Sequence, residues 1–343
     1  GLRGAAMTPP TVLIDADVLG RRRTGDETYV GNLLRELGRL ADGLRLVAVT
    51  RHPELVPDGV EPLHLPARSQ ELRMAVRLPL LLRRVRPAVA HFQHALPPAR
   101  PCPSVLTVHD LGFARDPSLM PLVDRIVFRA AVPWSARRAE RILAVSERTK
   151  ADLVELYGIP ERRITVTPNA VDPAFRPGDT SSRGSYALFV GAVQERKDPL
   201  AALAAAEAAG LPLVVVGPEK EPKLAAELRR RGADLRGYVP QAELVELYRG
   251  AAVLVLPSRY EGFGLPVLEA MACGTPVVAA PDPALREVAG DAAILAGPAE
   301  LGEAVRRAVA ERERLREAGL ERARAFSWEE TARRTLAVYE ELL

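Results

Sequence analysis

The stretch Ser258-Arg-Tyr-Glu-Gly-Phe-Gly-Leu-Pro-Val-Leu-Glu-Ala-Met-Ala-Cys-Gly-Thr-Pro-Val-Val278 determines the fold class of this chain. The apolar run from Val253 to Leu256 precedes it and predicts a buried strand. Pro266 suits the first position of a helix, and Gly274 suits the left-handed position just past the end of one. We therefore predict a strand, a glycine-rich turn and a short helix, which is the repeating unit of an α/β protein.

The start of the predicted helix is a candidate anion site. The backbone amides of Gly264 and Leu265 are expected to point out of the helix N-terminus, where the helix dipole favours negative charge. Two carboxylates, Glu261 and Glu269, lie eight residues apart around the same turn. Amides and carboxylates together suit a ligand with both phosphates and hydroxyl groups, and a nucleotide sugar has both. The alternative is an ordinary strand-turn-helix unit, but such a unit does not need two acids.

The composition fits a globular chain with two domains. A length of 343 residues is enough for two domains of ordinary size. No apolar run reaches the length of a membrane span, and none near the start resembles a secretory signal, so we expect a cytoplasmic protein with Met7 as its initiator. A net charge of +3 and few aromatic residues argue against nucleic-acid binding. The two cysteines, Cys102 and Cys273, do not have the spacing of metal ligands.

Short apolar runs alternate with helical stretches along nearly the whole chain. Apolar strands that alternate with helices predict parallel sheets covered on both faces. The predicted strands of the first series are Thr11–Asp15, Arg45–Thr50, Ala88–Phe92, Ser104–Val108, Ile142–Val145 and Ile164–Thr167. Those of the second series are Tyr186–Val190, Leu213–Val216, Leu235–Gly237, Val253–Leu256, Pro276–Ala280 and Ala293–Leu295. Two series predict two doubly wound, Rossmann-like domains, joined by the turn-rich segment 171–184.

The Glu261 to Glu269 stretch, with Gly-Phe-Gly, Leu-Pro and the closing Gly-Thr-Pro-Val-Val in register, resembles the Glu-x7-Glu signature of retaining glycosyltransferases of family four, the group 1 glycosyltransferases. The resemblance implies the GT-B fold, in which two Rossmann-like domains face each other across a cleft. It places an acceptor-side domain at residues 1–172 and a nucleotide-sugar-binding domain at residues 173–328. A last helix, residues 329–343, is expected to return to the first domain.

A basic pair follows the first predicted strand of the second domain. The stretch Val190-Gly-Ala-Val-Gln-Glu-Arg-Lys-Asp-Pro199 lies at the carboxyl edge of its sheet, where open α/β sheets bind ligands. It resembles the family's Gly-x4-Arg-Lys loop, and the resemblance implies that Gly191, Arg196 and Lys197 hold the diphosphate. Ala192 occupies a position where many members have arginine, so one phosphate contact is missing. The alternative is a solvated charged loop.

The resemblance assigns separate roles to the two acids and to a nucleobase loop. Glu269 is expected to accept the ribose hydroxyls. Glu261 is expected to face the sugar hydroxyls and to stabilise the cationic ring of the transition state. Arg236-Gly-Tyr-Val-Pro-Gln-Ala-Glu-Leu244 resembles the loop that frames the base, whose edge the backbone groups of Tyr238 and Val239 would bind. An edge strand followed by a proline turn would have the same pattern.

Histidines follow two predicted strands of the first domain. In Thr107-Val-His-Asp-Leu-Gly-Phe113, the resemblance places His109 against the donor sugar and Asp110 near the acceptor. The alternative is a capping aspartate beside a partly buried histidine. His91 and His94 end the preceding predicted strand, where they either line the acceptor pocket or only pack.

The predicted first loop, Arg23-Thr-Gly-Asp-Glu-Thr-Tyr29, matches the family least. Members often have a second glycine soon after Gly25, which lets the backbone approach the donor, but this chain has Asp26 and Glu27 in that place. Thr24 and Glu27 have the spacing of a capping box. These acids therefore either cap a helix or bind acceptor hydroxyls, and only Gly25 is a donor-binding candidate.

Residues 71–86 mix leucines with arginines. Related enzymes with lipid acceptors lay such a helix on an anionic membrane, so this segment is a candidate for peripheral contact with the inner face of the membrane. Pro79 is expected to interrupt the segment. A helix that only covers the sheet would look similar.

The expected activity is that of a retaining hexosyltransferase in glycan biosynthesis. It would move a hexose from a nucleotide-diphosphate sugar to a sugar, a glycan or a lipid-linked acceptor. The His-Asp pair favours GDP-mannose over a UDP-sugar as the donor. We expect no cofactor and no metal, because the basic pair and the helix amides neutralise the phosphates. Two alternatives stay open, a nucleotide-sugar-binding subunit without turnover and a GT-B nucleotide-sugar epimerase.

Overall fold

The protein is described from a computed structural model, which covers residues 9–21, 24–115, 122–178 and 184–343. Met7, Arg23 and residues 179–183 of the predicted linker lie outside the described residues. The described residues form two compact units. One contains residues 9–21, 24–114, 122–168 and 328–343, and the other contains Arg115 and residues 169–178 and 184–327.

The first unit is built on a parallel sheet of seven strands. They are β1 (Thr11–Asp15), β2 (Arg45–Thr50), β3 (Glu61–His64), β4 (Val89–Gln93), β5 (Ser104–Val108), β6 (Arg141–Ala144) and β7 (Ile164–Val166). Their order is β3-β2-β1-β4-β5-β6-β7, and Ile14 of β1 is paired with Ala48 on one side and His91 on the other. The strand order reverses between β1 and β4, and open α/β sheets bind ligands outside the carboxyl ends of the strands at such a point.

Helices connect these strands and cover the apolar sheet. They are α1 (Thr24–Leu40), α2 (Gln70–Leu72), α3 (Leu78–Val85), α4 (Gly112–Arg115), α5 (Leu122–Arg138) and α6 (Glu147–Tyr157). Helix α1 buries Leu33, Leu34 and Leu37, whose spacing puts them on one helix face. The central strands are apolar along their length because the sheet is covered on both faces.

The second unit repeats this design. Its parallel strands are β8 (Ala187–Val190), β9 (Leu213–Val216), β10 (Asp234–Gly237), β11 (Val253–Leu256), β12 (Val277–Ala279) and β13 (Ile294–Leu295). Its helices are α7 (Pro199–Ala208), α8 (Pro222–Arg230), α9 (Gln241–Gly250), α10 (Leu265–Cys273), α11 (Pro283–Ala289), α12 (Leu301–Ala310) and α13 (Arg312–Arg324). The order β10-β9-β8-β11-β12-β13 reverses between β8 and β11, so the ligand edge of this unit lies at the ends of those two strands.

The last helix, α14 (Trp328–Glu340), packs against α1 of the first unit. The ring centroids of Trp328 and Tyr29 are 5.9 Å apart in an edge arrangement. The hydroxyl of Thr331 donates a hydrogen bond to the backbone carbonyl of Pro168. These contacts attach the C-terminal end of the chain to the unit formed by its N-terminal half.

The prediction of two doubly wound parallel sheets is confirmed. All the predicted strands are present, with ends that differ by at most one residue. Strand β3 was missed, because Glu61–His64 is a partly exposed edge strand that contains Pro62 and has no apolar run. The predicted loop at residues 23–29 is wrong for its described part, since α1 already begins at Thr24. Acids in the first turn of α1 favour that earlier start through the helix dipole.

The predicted interruption at Pro79 does not occur. Helix α2 continues through a π-helical turn, Arg73–Arg77, directly into α3, and Pro79 lies in the first turn of α3. The wider π-helical turn accommodates the proline without ending the helical segment. Arg73 is fully buried and pairs with Asp15 at 2.5 Å and with Asp17 at 3.3 Å, so this segment is attached to the end of β1 by ion pairs. Within the described part of the chain, no helix is both long and apolar enough to cross a bilayer.

Candidate active site

In the second unit, helix α10 begins at the carboxyl edge next to β11. Its N-cap, Gly264, has φ +102°, in the left-handed region that L residues rarely adopt, and no side chain caps the helix there. Pro266 is in the first turn, and Gly274 ends the helix with φ +77°, as the sequence predicts. No side chain caps this end of the helix and Pro266 has no N–H, so the amides of Gly264 and Leu265 are the groups that an anion would meet there.

An ion pair joins the two ligand-edge loops of this unit. Lys197 Nζ lies 2.5 Å and 2.7 Å from the two carboxylate oxygens of Glu261. The neighbouring Arg196 donates to the backbone carbonyl of Tyr260 and accepts, through its own carbonyl, the amide of Arg259 at 2.9 Å. Burial raises the pKa of Glu261, but the charges of Lys197 and Arg196 outweigh it and hold the pKa below its usual value. Glu261 is therefore a fixed anion beside a fixed cation.

The second acid, Glu269, is in a different environment. It is half-buried in α10, and its Oε2 accepts a hydrogen bond of 2.8 Å from the hydroxyl of Tyr248. Burial raises the pKa of Glu269 to about 7, although the bond from Tyr248 opposes this shift. Tyr248 is fully buried in α9, and sequence reasoning missed it because it lies 21 residues before its partner with no pattern linking the two.

The other residues predicted to bind the nucleotide sugar lie at or near the same edge of the sheet. Gly191 directly follows β8, and a Cβ added to Gly217 of the next loop would lie 2.1 Å from the carbonyl oxygen of Gly191. This close backbone approach requires a glycine at position 217. Val239 is buried and Tyr238 is 54 % exposed, just after the edge strand β10. The loop does follow an edge strand, its tyrosine ring is accessible, and base binding by this loop stays a prediction.

In the first unit, His109 follows β5 at the ligand edge. Its Nε2 lies 2.9 Å from Oε1 of Gln93, and with the amide in this orientation the tautomer protonated at Nε2 donates that hydrogen bond. The ring of Tyr29 meets that of His109 edge-on, with centroids 4.8 Å apart. Burial lowers the pKa of His109 to about 4 against the opposing charge of Asp26. His109 is therefore a neutral imidazole at pH 7.

Asp26 and His94 lie beside His109. His94 Nε2 is 3.1 Å from Oδ2 of Asp26, and His109 Nδ1 is 3.9 Å from Oδ1 of the same carboxylate. Asp110 accepts a hydrogen bond of 3.1 Å from the amide of Gly112, which is the capping contact that the sequence offered as an alternative. Sequence reasoning did not bring these residues together, because 68 positions separate Asp26 from His94.

The remaining candidates of the first unit have structural contacts. His91 is fully buried, with Nδ1 2.6 Å from the Tyr339 hydroxyl and Nε2 2.6 Å from the hydroxyl of Thr107, so the packing alternative is the correct one. Glu27 accepts the amide of Gly20 at 2.7 Å, and the side chain of its proposed capping partner lies outside the described residues. Gly25 is an exposed residue in the first turn of α1, not part of a loop.

The chain matches two family models along most of its length. Residues 174–325 match the model described as glycosyl transferases group 1, and residues 23–175 match the model described as glycosyltransferase family 4. O-antigen chain mannosyltransferase B of Escherichia coli is 30 % identical over 327 residues, which cover 86 % of this chain and 83 % of that relative. The chain therefore belongs to the group 1 glycosyltransferases.

Further relatives and solved structures agree with this assignment. A D-inositol 3-phosphate glycosyltransferase of Geodermatophilus obscurus is 36 % identical over 276 residues, 69 % of this chain and 61 % of the relative. Sucrose-phosphate synthase of Thermosynechococcus elongatus has a TM-score of 0.77 at 19 % identity, covering 97 % of this chain and 99 % of its own. Anabaena HepE, solved in complex with UDP and glucose, has a TM-score of 0.73 at 14 % identity, covering 97 % and 100 %. The two units have the GT-B fold.

Proposed function

We propose that this glycosyltransferase is a retaining, metal-independent hexosyltransferase that uses GDP-mannose as its donor. The acceptor is a sugar, a glycan or a lipid-linked saccharide. The observation that carries the proposal is the convergence, at one sheet edge of the second unit, of the α10 N-terminus, the Lys197–Glu261 pair and Glu269. Each of these groups suits a different part of a nucleotide sugar.

The diphosphate is assigned to the basic and amide groups. The ammonium group of Lys197, held 2.5 Å from Glu261, places a fixed positive charge at this sheet edge, and a phosphate oxygen is attracted to it. The α10 amides add fixed dipoles that point at the developing charge and need no reorganisation during the reaction. Because these groups neutralise the phosphates, the proposal needs no divalent metal in the transfer step.

The hydroxyl groups are assigned to the two acids. Glu269 of α10, which is hydrogen-bonded to Tyr248 of α9, accepts the ribose hydroxyls, and the exposed ring of Tyr238 stacks on the base. Glu261 accepts a sugar hydroxyl and stabilises the positive charge of the oxocarbenium-like ring. Since Lys197 holds both of its oxygens, Glu261 is a weak nucleophile, and the proposal gives it an electrostatic role.

The transfer step follows from these assignments. The bond from the anomeric carbon to the diphosphate oxygen breaks while the acceptor oxygen attacks the same face of the sugar. The proton of the acceptor hydroxyl moves to the leaving phosphate oxygen, so atoms and charges balance without a protein base. In the first unit, neutral His109 offers its ring to the donor sugar, and Asp110 is assigned to the acceptor side.

The choice of donor is supported by the relatives. The Escherichia coli relative is named a mannosyltransferase, and it is matched over 83 % of its length. The Anabaena HepE structure contains UDP and glucose, so a UDP-sugar is the competing donor. We expect GDP-mannose to raise the melting temperature of the protein more than UDP-glucose does, because a ligand that binds only the native state stabilises it. A larger shift with UDP-glucose would contradict the choice of GDP-mannose.

Turnover is tested with GDP-mannose and an array of saccharide acceptors in the presence of EDTA. The proton NMR spectrum of the product should show the anomeric configuration of the donor. An inverted product would overturn retention, and activity lost in EDTA and restored by Mg²⁺ would overturn metal independence. Binding without any product would identify a binding subunit, and an isomerised sugar nucleotide would identify an epimerase.

Lys197→Ala tests the diphosphate assignment. The variant should weaken GDP binding more than GMP binding, because the lost charge acts on the distal phosphate. Lys223→Ala, which removes an exposed lysine of α8, is the matched control and should leave both affinities unchanged. Equal weakening of GDP and GMP by Lys197→Ala would show that the loop only supports the fold.

We propose peripheral membrane contact for residues 71–86, which lie almost entirely in the helical segment from Gln70 to Val85. Leu72, Val76 and Leu80 are 40 %, 45 % and 58 % exposed at a spacing of four, which puts them in a row along one helix face. Exposed arginines lie on the same segment, and an anionic bilayer attracts such a surface. We therefore propose that this exposed helix face binds the anionic surface of a lipid bilayer.

Vesicle sedimentation tests this contact. The protein should bind vesicles that contain phosphatidylglycerol and not vesicles of phosphatidylcholine alone. Changing Leu72, Val76 and Leu80 together to glutamine should abolish binding. Leu55→Gln, at another exposed leucine, should have no effect. Binding that survives the triple change would place the membrane surface elsewhere.

A further inference from the structure

Three potential metal ligands converge at the carboxyl edge of the first sheet. Asp26 comes from the first turn of α1, His94 from the end of β4 and His109 from the end of β5. One ligand atom from each lies within 4.8 Å of the other two. Three separate segments thus bring two imidazoles and one carboxylate to one point.

The separations between these ligand atoms are close to the ligand-to-ligand separations around a bound transition-metal ion. His94 Nε2 lies 3.1 Å from Asp26 Oδ2 and His109 Nδ1 lies 3.9 Å from Asp26 Oδ1, and with one ligand atom from each residue the separations reach at most 4.8 Å. A tetrahedral zinc ion with ligands at about 2.05 Å holds them roughly 3.3 Å apart. Binding of zinc would therefore draw the three side chains closer together, and the half-buried His94 and Asp26 are less confined by packing than the buried His109.

The surroundings orient the ligands as in a metal site. Metal-bound histidines usually donate their second ring N–H to an oxygen acceptor, which fixes the tautomer. His109 Nε2 lies 2.9 Å from such an oxygen, Gln93 Oε1, while its other ring nitrogen, Nδ1, lies 3.9 Å from Asp26 Oδ1. His94 is a non-glycine residue at φ +60°. Its backbone amide donates a hydrogen bond of 2.9 Å to the carbonyl of Thr107, which holds it in this conformation. Strained backbone of this kind clusters at functional sites.

We infer that Asp26, His94 and His109 form a binding site for a divalent transition-metal ion such as Zn²⁺, with the fourth position open to water. Imidazole ligands favour zinc and its neighbours, whereas Mg²⁺ and Ca²⁺ require mainly oxygen ligands. A corollary rests on the proposed function: bound zinc occupies the lone pair of His109 and slows transfer. The ion is therefore an inhibitor and not a cofactor.

Zinc titration of the purified chain, without donor or acceptor, tests the site. A chromophoric chelator competes for the metal, and we expect one tight equivalent of Zn²⁺ that neither Mg²⁺ nor Ca²⁺ displaces. Asp26→Asn and His94→Ala should each weaken zinc binding at least about tenfold, and Gln93→Leu should weaken it about 10- to 100-fold. The matched control is His52→Ala, which removes an exposed histidine 3.1 Å from Glu54 and should change nothing.

Cobalt provides a second measurement. Co²⁺ in this site should give visible d–d absorption in the wild type, and both Asp26→Asn and His94→Ala should remove it. Circular dichroism confirms that the variants fold, and Asp26→Asn preserves the shape of the side chain if His94→Ala does not fold. The thiols do not compete at pH 7, because burial raises the pKa of Cys102 to about 11 and that of Cys273 to about 12.

Equal zinc affinity in the wild type, Asp26→Asn and His94→Ala would overturn the site. Loss of affinity in His52→Ala would overturn it as well, and so would displacement of zinc by Mg²⁺. Because binding is measured without substrates, failure of the transferase assignment leaves this result standing, and failure of the metal site leaves the transferase assignment standing.

Discussion

Replacing Glu269 by glutamine tests whether this acid is held neutral in the folded protein. The side chain is half-buried beside Tyr248, and burial raises its pKa to about 7 from the ordinary 4.5. Between those two pH values the folded protein holds a proton on Glu269 that the unfolded chain has already released. The native state therefore binds more protons than the unfolded state in this range.

The sign and size of the effect follow from linkage. The free energy of unfolding falls as pH rises wherever the native state binds more protons. At about 1.36 kcal/mol per pH unit, the interval from 4.5 to about 7 corresponds to roughly 3 kcal/mol. This stabilisation is complete below the unfolded pKa and is lost as pH rises through about 7. Glutamine has nearly the same shape but cannot ionise, so Glu269→Gln lacks this dependence on pH.

Urea unfolding of both proteins measures the effect at several pH values. From about pH 5 to about pH 8, the stability of Glu269→Gln relative to the wild type should rise by about 2–3 kcal/mol. Glu243→Gln, at an exposed acid of α9, is the control and should follow the wild type at every pH. Parallel profiles for Glu269→Gln and the wild type would show that Glu269 is already ionised in the folded protein, and the reasoning would then be refuted.

Three further substitutions test contacts in both units. Gly264→Ala should lower stability by about 1–3 kcal/mol, because φ is +102° and the new Cβ would lie 2.5 Å from a leucine side chain; thermal unfolding and GDP binding should both report the loss. Arg73→Met should cost about 3–5 kcal/mol in urea unfolding, because Asp15 loses its buried partner at 2.5 Å. Tyr339→Phe should lower stability by about 1 kcal/mol, because it removes the 2.6 Å hydrogen bond to His91; the melting temperature checks it.

Local sequence patterns were enough to predict most of the architecture. Buried parallel strands are continuous apolar runs, so Val253–Leu256 and its counterparts could be recognised one at a time. Glycine and proline at fixed offsets predicted the limits of α10, because left-handed backbone and a missing amide are properties of single residues. Strand β3 lacked both kinds of signal and could not be predicted.

The details of the candidate site depend on contacts between distant residues. The sequence placed Lys197 and Glu261 in one site with separate tasks, but not in contact at 2.5 Å. The partner of Glu269 comes from a different helix, and the cluster around His109 joins segments up to 83 residues apart, as the 26-to-109 contact shows. Such pairings follow from strand order, and a single sequence reports strand order only indirectly.

The two acids of the glycine-rich stretch show how one short segment provides two kinds of chemistry. Glu261 is kept ionised by a cation in contact with it. Glu269 has a hydroxyl and no cation against its oxygens in the described part of the chain, and its pKa of about 7 leaves it only partly ionised at pH 7. Environments that push the pKa values of two neighbouring carboxyls apart define separate roles for them. A fixed charge suits a cationic transition state. A carboxyl group accepts hydrogen bonds from hydroxyl groups most strongly once its proton has left. Nucleotide binding should therefore be coupled to proton release at Glu269, and not at Glu261, which is already ionised.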